Sequence, residues 1–266
     1  MLYNRQNNLS NKAQITFYLY TMSDEHQRQA LEEFRKAVTE KGTLHYAVND
    51  GHLLRFLRAR KFDLPKTQQL WDNYVQWRQE NGIDEAFEFP EINEVKKYYP
   101  HGFFRTDKYG RPIFIERPGK LNYPELNKVT TPERFLRYYI TNHEKLIKKI
   151  LPACSRASKK DIDQAVYIID LHGLSLSTIA PGVLDFTKRI ISTGQNYYPE
   201  IMHELIIVNT PLLFYGVWKV IQLWIDERSK KKIQVFGSNY KNYLLERIDE
   251  KNLPDFLGGK ATVEEY

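Results

Sequence analysis

The sequence predicts an α/β fold in which a helical N-terminal subdomain precedes a lobe built on a mostly parallel sheet. Two observations lead to this prediction. Helical patterns fill residues 23–100, whereas short apolar segments of strand character alternate with helical ones after Pro100. Strands that are apolar along their whole length, with helices between them, are typical of a parallel sheet covered by helices.

The N-terminal subdomain contains three predicted helices. Ser23–Glu25 supply an N-cap and an acidic first turn for the first helix. The second helix contains the apolar residues Leu53, Leu54, Phe56 and Leu57, and the third begins near Pro65, a favourable first-turn residue. Residues 1–22 are predicted to be an N-terminal extension, and the lobe is predicted to occupy residues 101–262.

The predicted strands of the lobe are separated by turn and helix signals. They are residues 113–115, 165–169, 205–208 and 233–236. Thr131 is the predicted cap of a long helix that begins at Pro132. Another helix, over residues 181–194, separates the second and third of these strands. This order of elements fits the strand–helix alternation of a parallel sheet.

Length, composition and net charge limit the class of protein but do not identify its ligand. The chain has 266 residues, enough for one large domain or a core domain with a small helical partner. Its single cysteine, Cys154, cannot form an internal disulfide and reads as a passive thiol. The net charge of +6 favours anionic partners, either lipid surfaces or nucleic acids. An aromatic content of 14% suits a filled core or a cavity for an apolar ligand.

The segment 211–225 is apolar nearly all round. It predicts a helix of roughly 15 residues that buries both faces and is too short for the ~20 residues of a membrane span. Two interpretations stay open: a core helix, or a lid that closes a cavity and lies in the membrane interface when open. Trp218 and Trp224 suit that interface, and a basic run from Arg228 to Lys232 follows, positioned to meet anionic headgroups.

Sequence signals for catalysis are incomplete. Gly258–Lys260 lacks the spacing of a phosphate-binding loop, and His203 is not part of a His-Glu-x-x-His motif. Ser175 follows Gly173 as in a nucleophile elbow, but the second glycine is missing, so a helix cap is the simpler role. We therefore expect a protein that is not an enzyme and uses no cofactor or metal.

Six segments of the chain match, in order, the motifs of one known family. They are LLRFLRARKFD at 53–63, DKYGRP at 107–112, LPACSR at 151–156, IDLHG at 169–173, QNYYPE at 195–200, and NLP with LGGK within 252–260. Over about residues 45–262 the chain resembles the CRAL-TRIO lipid-binding family, specifically its yeast-type phosphatidylinositol/phosphatidylcholine transfer branch. The resemblance implies a CRAL-TRIO α/β lobe that encloses one lipid in a cavity. A mobile gating helix would fall at about 211–226.

The resemblance also implies a set of ligand-binding residues. They are Arg60, Lys61, Glu200, Ser229 and Lys232. Cationic groups neutralise a phosphodiester, a serine hydroxyl donates to it, and a glutamate accepts from inositol hydroxyls. Without the resemblance, these charged residues would read as ordinary surface groups. The family usually has arginine after the glutamate, whereas this chain has Ile201, so that contact is lost or supplied from elsewhere.

Pocket and gate residues follow from the same resemblance. They are Phe103, Phe114, Tyr167, Phe214, Trp218, Ile221 and Trp224. Choline-binding members have tyrosines where this chain has Phe103 and Phe114, and small hydroxyl residues where it has Ala165 and Tyr167. Because phenylalanine keeps the aromatic face and loses the hydroxyl, we expect choline lipids to be poor ligands. A second cargo, if there is one, is then another lipid such as a sterol.

The sequence as a whole predicts a carrier that binds one phospholipid, preferably phosphatidylinositol, and transfers or presents it between membranes. We expect a cytoplasmic monomer that associates peripherally with Golgi or endosomal membranes and binds no nucleic acid. Three alternatives remain: a carrier of a sterol, tocopherol-like or squalene-like molecule, a nucleic-acid binder and a hydrolase using Ser175. The separate basic clusters disfavour the second alternative, and the missing elbow glycine disfavours the third.

Overall fold

The computed structural model of the protein describes residues 25–43 and 49–263. The predicted extension, residues 1–22, and the first two residues of the predicted cap at Ser23–Glu25 lie outside this description. The chain divides into two compact units, residues 1–76 and 77–266.

The described part of the first unit is helical, in agreement with the predicted helical N-terminal region. Residues 25–40 form α1, Asp50–Ala59 form α2, and α3 (Leu64–Glu80) begins in this unit and ends in the second. The side chain of Asn49 caps α2 by accepting from the backbone N–H of His52 at 2.9 Å. The helices are held together by buried aromatic side chains of α1, α2 and α3. They are Phe34, Phe56, Trp71 and Tyr74.

A five-stranded sheet forms the centre of the second unit. Its strands are β1 (His101–Thr106), β2 (Pro112–Glu116), β3 (Ala165–Asp170), β4 (Met202–Val208) and β5 (Ile233–Val235). They lie in the order β1-β2-β3-β4-β5. Only the β1–β2 pair is antiparallel, and the other three pairs are parallel. The predicted mostly parallel sheet is confirmed, and β1 is an additional strand that the sequence pattern did not predict.

Helices and one π-turn connect and cover these strands. The helices are α4 (Ile92–Tyr98), α5 (Tyr123–Val129), α6 (Pro132–Lys145), α7 (Leu151–Ser158), α8 (Pro181–Tyr197), α9 (Phe214–Ile221), α10 (Glu227–Lys230) and α11 (Lys241–Arg247). A π-helical turn, Leu146–Ile150, joins α6 to α7. Thr131 caps α6 by accepting from the backbone N–H of Arg134 at 3.3 Å, as the Thr-Pro sequence predicted.

One face of the sheet carries the densely packed core of this unit. Alternate residues of the central strands point to this face, where Val166, Ile168, Ile206 and Val208 are at most 2% exposed. Helix α11 and the C-terminal turns cover them with Leu244, Ile248, Leu253 and Leu257. Because this face is closely packed, the sheet is rigid and the residues on its opposite face keep fixed positions.

Candidate functional site

The opposite face of the sheet is covered by helices but is not tightly filled. Tyr167, Ile169 and Leu205, all on the two central strands, keep accessible surface. Phe214 of α9 belongs to a buried cluster with Leu171 and Ile207, and Trp218, Ile169 and Leu205 pack against this cluster. Central strands below a helical layer are normally sealed from solvent, so this residual accessibility indicates an internal space.

Helix α8 supports the same conclusion. It is 17 residues long and packs against α6, yet none of its side chains is fully buried. Its apolar residues Val183, Leu184, Phe186 and Ile190 are all only partly buried. An amphipathic helix of this length normally buries an apolar stripe against the core. We therefore place the space between the sheet and its covering helices.

Aromatic side chains line part of this space. Phe103, Phe114 and Tyr167 project from the sheet, opposite residues of α6 and of the π-turn, around a small cavity. The opposing residues are Tyr139, Asn142, His143 and Leu146. The ring centroids of Phe103 and Phe114 are 4.8 Å apart, and those of Phe114 and Tyr167 are 5.9 Å apart. The structure thus brings together the three predicted pocket residues of the sheet.

A polar cluster lies further along the same sheet face, two residues beyond Phe114. Tyr99 Oη donates to Glu116 Oε2 at 3.0 Å. His101 Nδ1 lies 2.7 Å from the Tyr99 carbonyl oxygen, and its Nε2 lies 3.2 Å from Tyr138 Oη. Because a carbonyl oxygen only accepts, Nδ1 carries the hydrogen, and Nε2 of the neutral ring accepts from Tyr138.

Burial shifts the pKa values of this cluster in opposite directions. It lowers the pKa of His101 to about 4, so the ring is neutral near pH 7. It raises the pKa of Glu116 to about 7, although the hydrogen bond from Tyr99 acts in the opposite sense. Glu116 is surrounded by protein yet keeps some accessible surface, as expected for a carboxyl group beside an internal space.

Charged residues meet at the opposite ends of the strands, before β4 and β5. Lys232 Nζ lies 2.8 Å from Glu200 Oε2, and Arg228 Nη1 lies 2.9 Å from Glu200 Oε1. Lys232 Nζ also donates to the Met202 carbonyl oxygen at 3.0 Å. Burial alone would raise the pKa of Glu200, but hydrogen bonds and positive charges from Lys232 and Arg228 lower it below its usual value.

The backbone at Glu200 is unusual. Its φ angle is +55°, in the left-handed region that non-glycine residues rarely adopt. The Glu200 carbonyl oxygen accepts from Gln164 Nε2 at 2.9 Å, and the next carbonyl, of Ile201, accepts from the Ala165 N–H at 2.9 Å. These bonds hold a conformation that costs energy, and strained residues of this kind concentrate at functional sites.

The other predicted ligand-binding residues are placed differently. Ser229 Oγ donates to Asp226 Oδ2 at 2.7 Å, so its hydroxyl hydrogen is directed to its own helix cap in this conformation. Arg60 and Lys61 are exposed at the end of α2, in the first unit, and Lys61 has a φ of +54°. The structure therefore brings together Glu200 and Lys232 from the predicted set and adds Arg228 to them.

Family models match both parts of the chain. The CRAL/TRIO domain matches residues 93–259, and the CRAL/TRIO N-terminal domain matches residues 30–73. The first match alone covers more than half of the sequence. The chain belongs to the CRAL-TRIO family. The resemblance inferred from the six sequence motifs is thereby confirmed.

Several members of the CRAL-TRIO family are similar over most of this chain. The phosphatidylinositol/phosphatidylcholine transfer protein SFH9 of Arabidopsis thaliana is 42% identical over 90% of the chain and 42% of its own length. The SEC14 cytosolic factor of Eremothecium gossypii is 38% identical over 92% of the chain and 79% of its own length. The chain spans less than half of the length of SFH9. Both names describe lipid transfer or a cytosolic factor rather than catalysis, in agreement with a protein that is not an enzyme.

A solved structure shares the CRAL-TRIO fold. The crystal structure of Sfh5 superposes with a TM-score of 0.66 over 82% of each chain, at 21% sequence identity. At this identity the likeness supports the fold alone. It agrees with the predicted α/β class, a helical N-terminal region followed by a mostly parallel sheet.

The gate segment of this CRAL-TRIO lobe differs from its sequence prediction. The predicted helix of roughly 15 residues that buries both faces is wrong, because α9 has only eight residues and a short 3-10 turn, Gln222–Trp224, follows it. Leu212 is 89% exposed and Leu223 is 80% exposed, and only Phe214 of α9 is fully buried. The segment therefore has one face on the sheet and an apolar face open to solvent.

The four predicted gate residues of this CRAL-TRIO segment are buried to different degrees. Phe214 and Trp218 stack at 5.8 Å between ring centroids, and Phe214 belongs to a buried cluster with Ile207 of β4. Ile221 and Trp224 are partly buried, and the Trp224 carbonyl oxygen accepts from Gln195 Nε2 of α8 at 3.0 Å. Across the described residues, no helix combines the length and apolar character needed to cross a membrane.

Sequence reasoning about this CRAL-TRIO lobe missed two features of the site. Arg228 was predicted only as part of a basic run, and its contact with Glu200 depends on how the chain brings α10 beside the start of β4. The sequence signal for such a contact was Ile201, because the family has arginine at this position and its contact must be lost or supplied from elsewhere. Glu116 and His101 gave no sequence signal, because a glutamate that ends a strand normally reads as a solvent-facing residue.

Proposed function

We propose that the chain binds a single phospholipid, phosphatidylinositol in the first place, and transfers or presents it between membranes. The observation that carries this proposal is the cluster of Glu200, Lys232 and Arg228 beside an incompletely filled, largely apolar sheet face. Two cations suit a phosphodiester, and one carboxylate suits the hydroxyls of an inositol ring. The names of the relatives support a phospholipid ligand.

The physical task of such a carrier is to keep hydrocarbon away from water. Moving one methylene into water costs about 0.8 kcal/mol, so a lipid with roughly 30 methylenes faces a cost on the order of 20 kcal/mol. Headgroup contacts contribute far less than this. The internal space therefore holds the acyl chains, and the charged cluster selects which lipid stays.

The gate segment and a neighbouring loop supply a surface for membrane docking. Leu212 and Leu223 belong to the segment that follows β4, and Leu176 to the loop that follows β3. Each is at least 80% exposed. Parallel neighbouring strands end at the same edge of a sheet, so both segments leave the sheet there. We propose that these leucines enter the membrane interface when the gate opens, with Trp218 and Trp224 at its boundary. A peripheral association with Golgi or endosomal membranes from the cytoplasm remains part of this proposal.

A second candidate is a carrier of another apolar molecule, such as a sterol or a tocopherol-like or squalene-like compound. It is favoured by the lining at Phe103 and Phe114, which offers aromatic faces without the tyrosine hydroxyls of choline-binding members. Such a ligand would occupy the same space without engaging Glu200 and Lys232. The identity of the bound molecule decides between the two candidates.

Extraction and mass spectrometry of the lipid bound to purified protein test the proposal directly. We expect phosphatidylinositol to be enriched over its share in the expression host. Lys232→Ala should reduce that enrichment without emptying the cavity of neutral lipid. A bound sterol or other neutral lipid that is unaffected by Lys232→Ala would refute the phospholipid proposal and support the second candidate.

A further inference from the structure

Arg228 lies beside the Glu200–Lys232 pair and shares its carboxylate. Its Nη1 donates to Glu200 Oε1 at 2.9 Å, while Lys232 occupies Oε2. We infer that Arg228 is a third charged residue of the headgroup site, in place of the arginine that the family has where this chain has Ile201. This inference rests on the proposed function and adds a residue that the family pattern does not supply.

The position of Arg228 is fixed by its helix cap. Asp226 accepts from the backbone N–H of Arg228 at 2.9 Å, and its own N–H donates to Gln195 Oε1 of α8 at 2.7 Å. The side chain itself is more accessible than its partner, since Arg228 is 36% exposed and Glu200 only 11% exposed. A ligand entering from solvent therefore meets the guanidinium before the carboxylate. The backbone is held while the side chain remains able to change partners.

The charges of the three residues define which ligand they accept. Arg228 and Lys232 carry two positive charges and Glu200 one negative charge, which leaves a net charge of +1 for one phosphodiester to balance. When phosphate oxygens accept from both cations, the carboxylate loses its donors. A largely buried carboxylate without partners is costly. A headgroup therefore binds well only if it also brings hydroxyl donors to Glu200.

This requirement for hydroxyl donors distinguishes two lipids with the same phosphate charge. Phosphatidylinositol offers both the phosphodiester and ring hydroxyls. Phosphatidylethanol offers an identical phosphodiester on a headgroup that has neither hydroxyl nor amine. With equal charge and matched acyl chains, any difference in binding reports on the donors to Glu200. We expect the wild-type protein to prefer phosphatidylinositol by roughly tenfold or more, the usual effect of leaving one buried charged group unsatisfied.

The experiment is a competition between these two lipids for uptake in solution, followed by mass spectrometry of the protein-bound lipid. Arg228→Ala should lower the uptake of both lipids by roughly tenfold or more, because each loses a charge-assisted hydrogen bond. Arg228→Lys should restore part of that uptake. Glu200→Gln should raise phosphatidylethanol uptake, so that the preference for phosphatidylinositol falls towards one.

Lys230 provides a matched control on the same helix. Its Nζ pairs with Glu227 at 2.6 Å and not with Glu200, so Lys230→Ala removes the same net charge without touching the site. We expect this variant to bind both lipids as the wild type does. Equal behaviour of Arg228→Ala and Lys230→Ala would overturn the inference, and so would an undiminished preference in Glu200→Gln. A wild-type protein that takes up neither lipid would overturn the proposed function as well.

Discussion

The buried pair of Glu116 and His101 predicts a dependence of stability on pH that single substitutions should expose. Glu116 has a pKa of about 7 in the folded protein against an ordinary value of 4.5, and His101 a pKa of about 4 against 6.5. Since each tenfold change in proton affinity corresponds to about 1.4 kcal/mol, each residue changes the free energy of unfolding by about 3 kcal/mol across its window.

The two contributions have opposite signs. The folded state holds the Glu116 proton more tightly than the unfolded state, so its contribution to stability is lost as pH rises from 4.5 to 7. The folded state resists protonation of His101, so its contribution is lost as pH falls from 6.5 to 4. Between pH 4.5 and 6.5 the two slopes nearly cancel in the wild-type protein.

Removing either residue should uncover the slope of the other. Relative to wild type, Glu116→Gln should gain about 3 kcal/mol in its free energy of unfolding between pH 4.5 and 7.5. His101→Asn, which keeps a donor for the Tyr99 carbonyl oxygen, should lose stability relative to wild type by a similar amount as pH rises from 4 to 6.5. Urea denaturation at several pH values, followed by tryptophan fluorescence, measures both differences. Differences from wild type that do not change with pH would refute the assigned burial of these two groups.

Three further predictions concern the charged cluster at Glu200, the segment with Trp218 and Trp224, and the aromatic lining. Lys232→Ala should slow phosphatidylinositol transfer between vesicles by roughly tenfold or more while sparing neutral cargo, and an equal loss for all cargo would indicate general damage. Trp218→Asp and Trp224→Asp should each slow transfer and weaken binding in vesicle flotation, and unchanged behaviour of both would count against the gate. In a competitive transfer assay, phosphatidylcholine should move more slowly than phosphatidylinositol, because Phe103 and Phe114 lack the tyrosine hydroxyls. Equal rates would contradict this assignment of the pocket.

Local sequence patterns predicted most of the elements of the second unit. The Thr131–Pro132 cap, the apolar strand at 165–169 and the helix beginning at Pro181 all formed as expected, because capping and burial act over a few neighbouring residues. Strand β1 was missed for a physical reason. Its sequence HGFFRT has no clear alternation, Arg105 has a φ of +52°, and the strand exists because it pairs with β2 across a bulge.

The parts of the site that were missed depend on packing between distant segments. A segment at 211–225 that is apolar nearly all round predicts complete burial, yet Leu212 and Leu223 stay exposed because none of the described elements covers them. The contact between Arg228 and Glu200 joins residues 28 positions apart, through a cap at Asp226 that is itself bonded to α8. No local pattern encodes such a contact, whereas the resemblance to the family singled out Glu200 and Lys232, which lie 2.8 Å apart in the structure.

The direction of the strands separates the proposed place of lipid selection from the proposed place of lipid release. In a parallel sheet, the segments that precede β4 and β5 meet at one edge, and the segments that follow β3 and β4 meet at the other. The seven residues of β4 span about 20 Å at 3.3 Å per residue, which exceeds the ~15 Å of hydrocarbon in one bilayer leaflet. A lipid whose phosphate lies at Glu200 can therefore lay its chains along the sheet and end beneath α9. Substitutions at the first edge should change which lipid is bound, and substitutions at the second edge should change how fast it leaves.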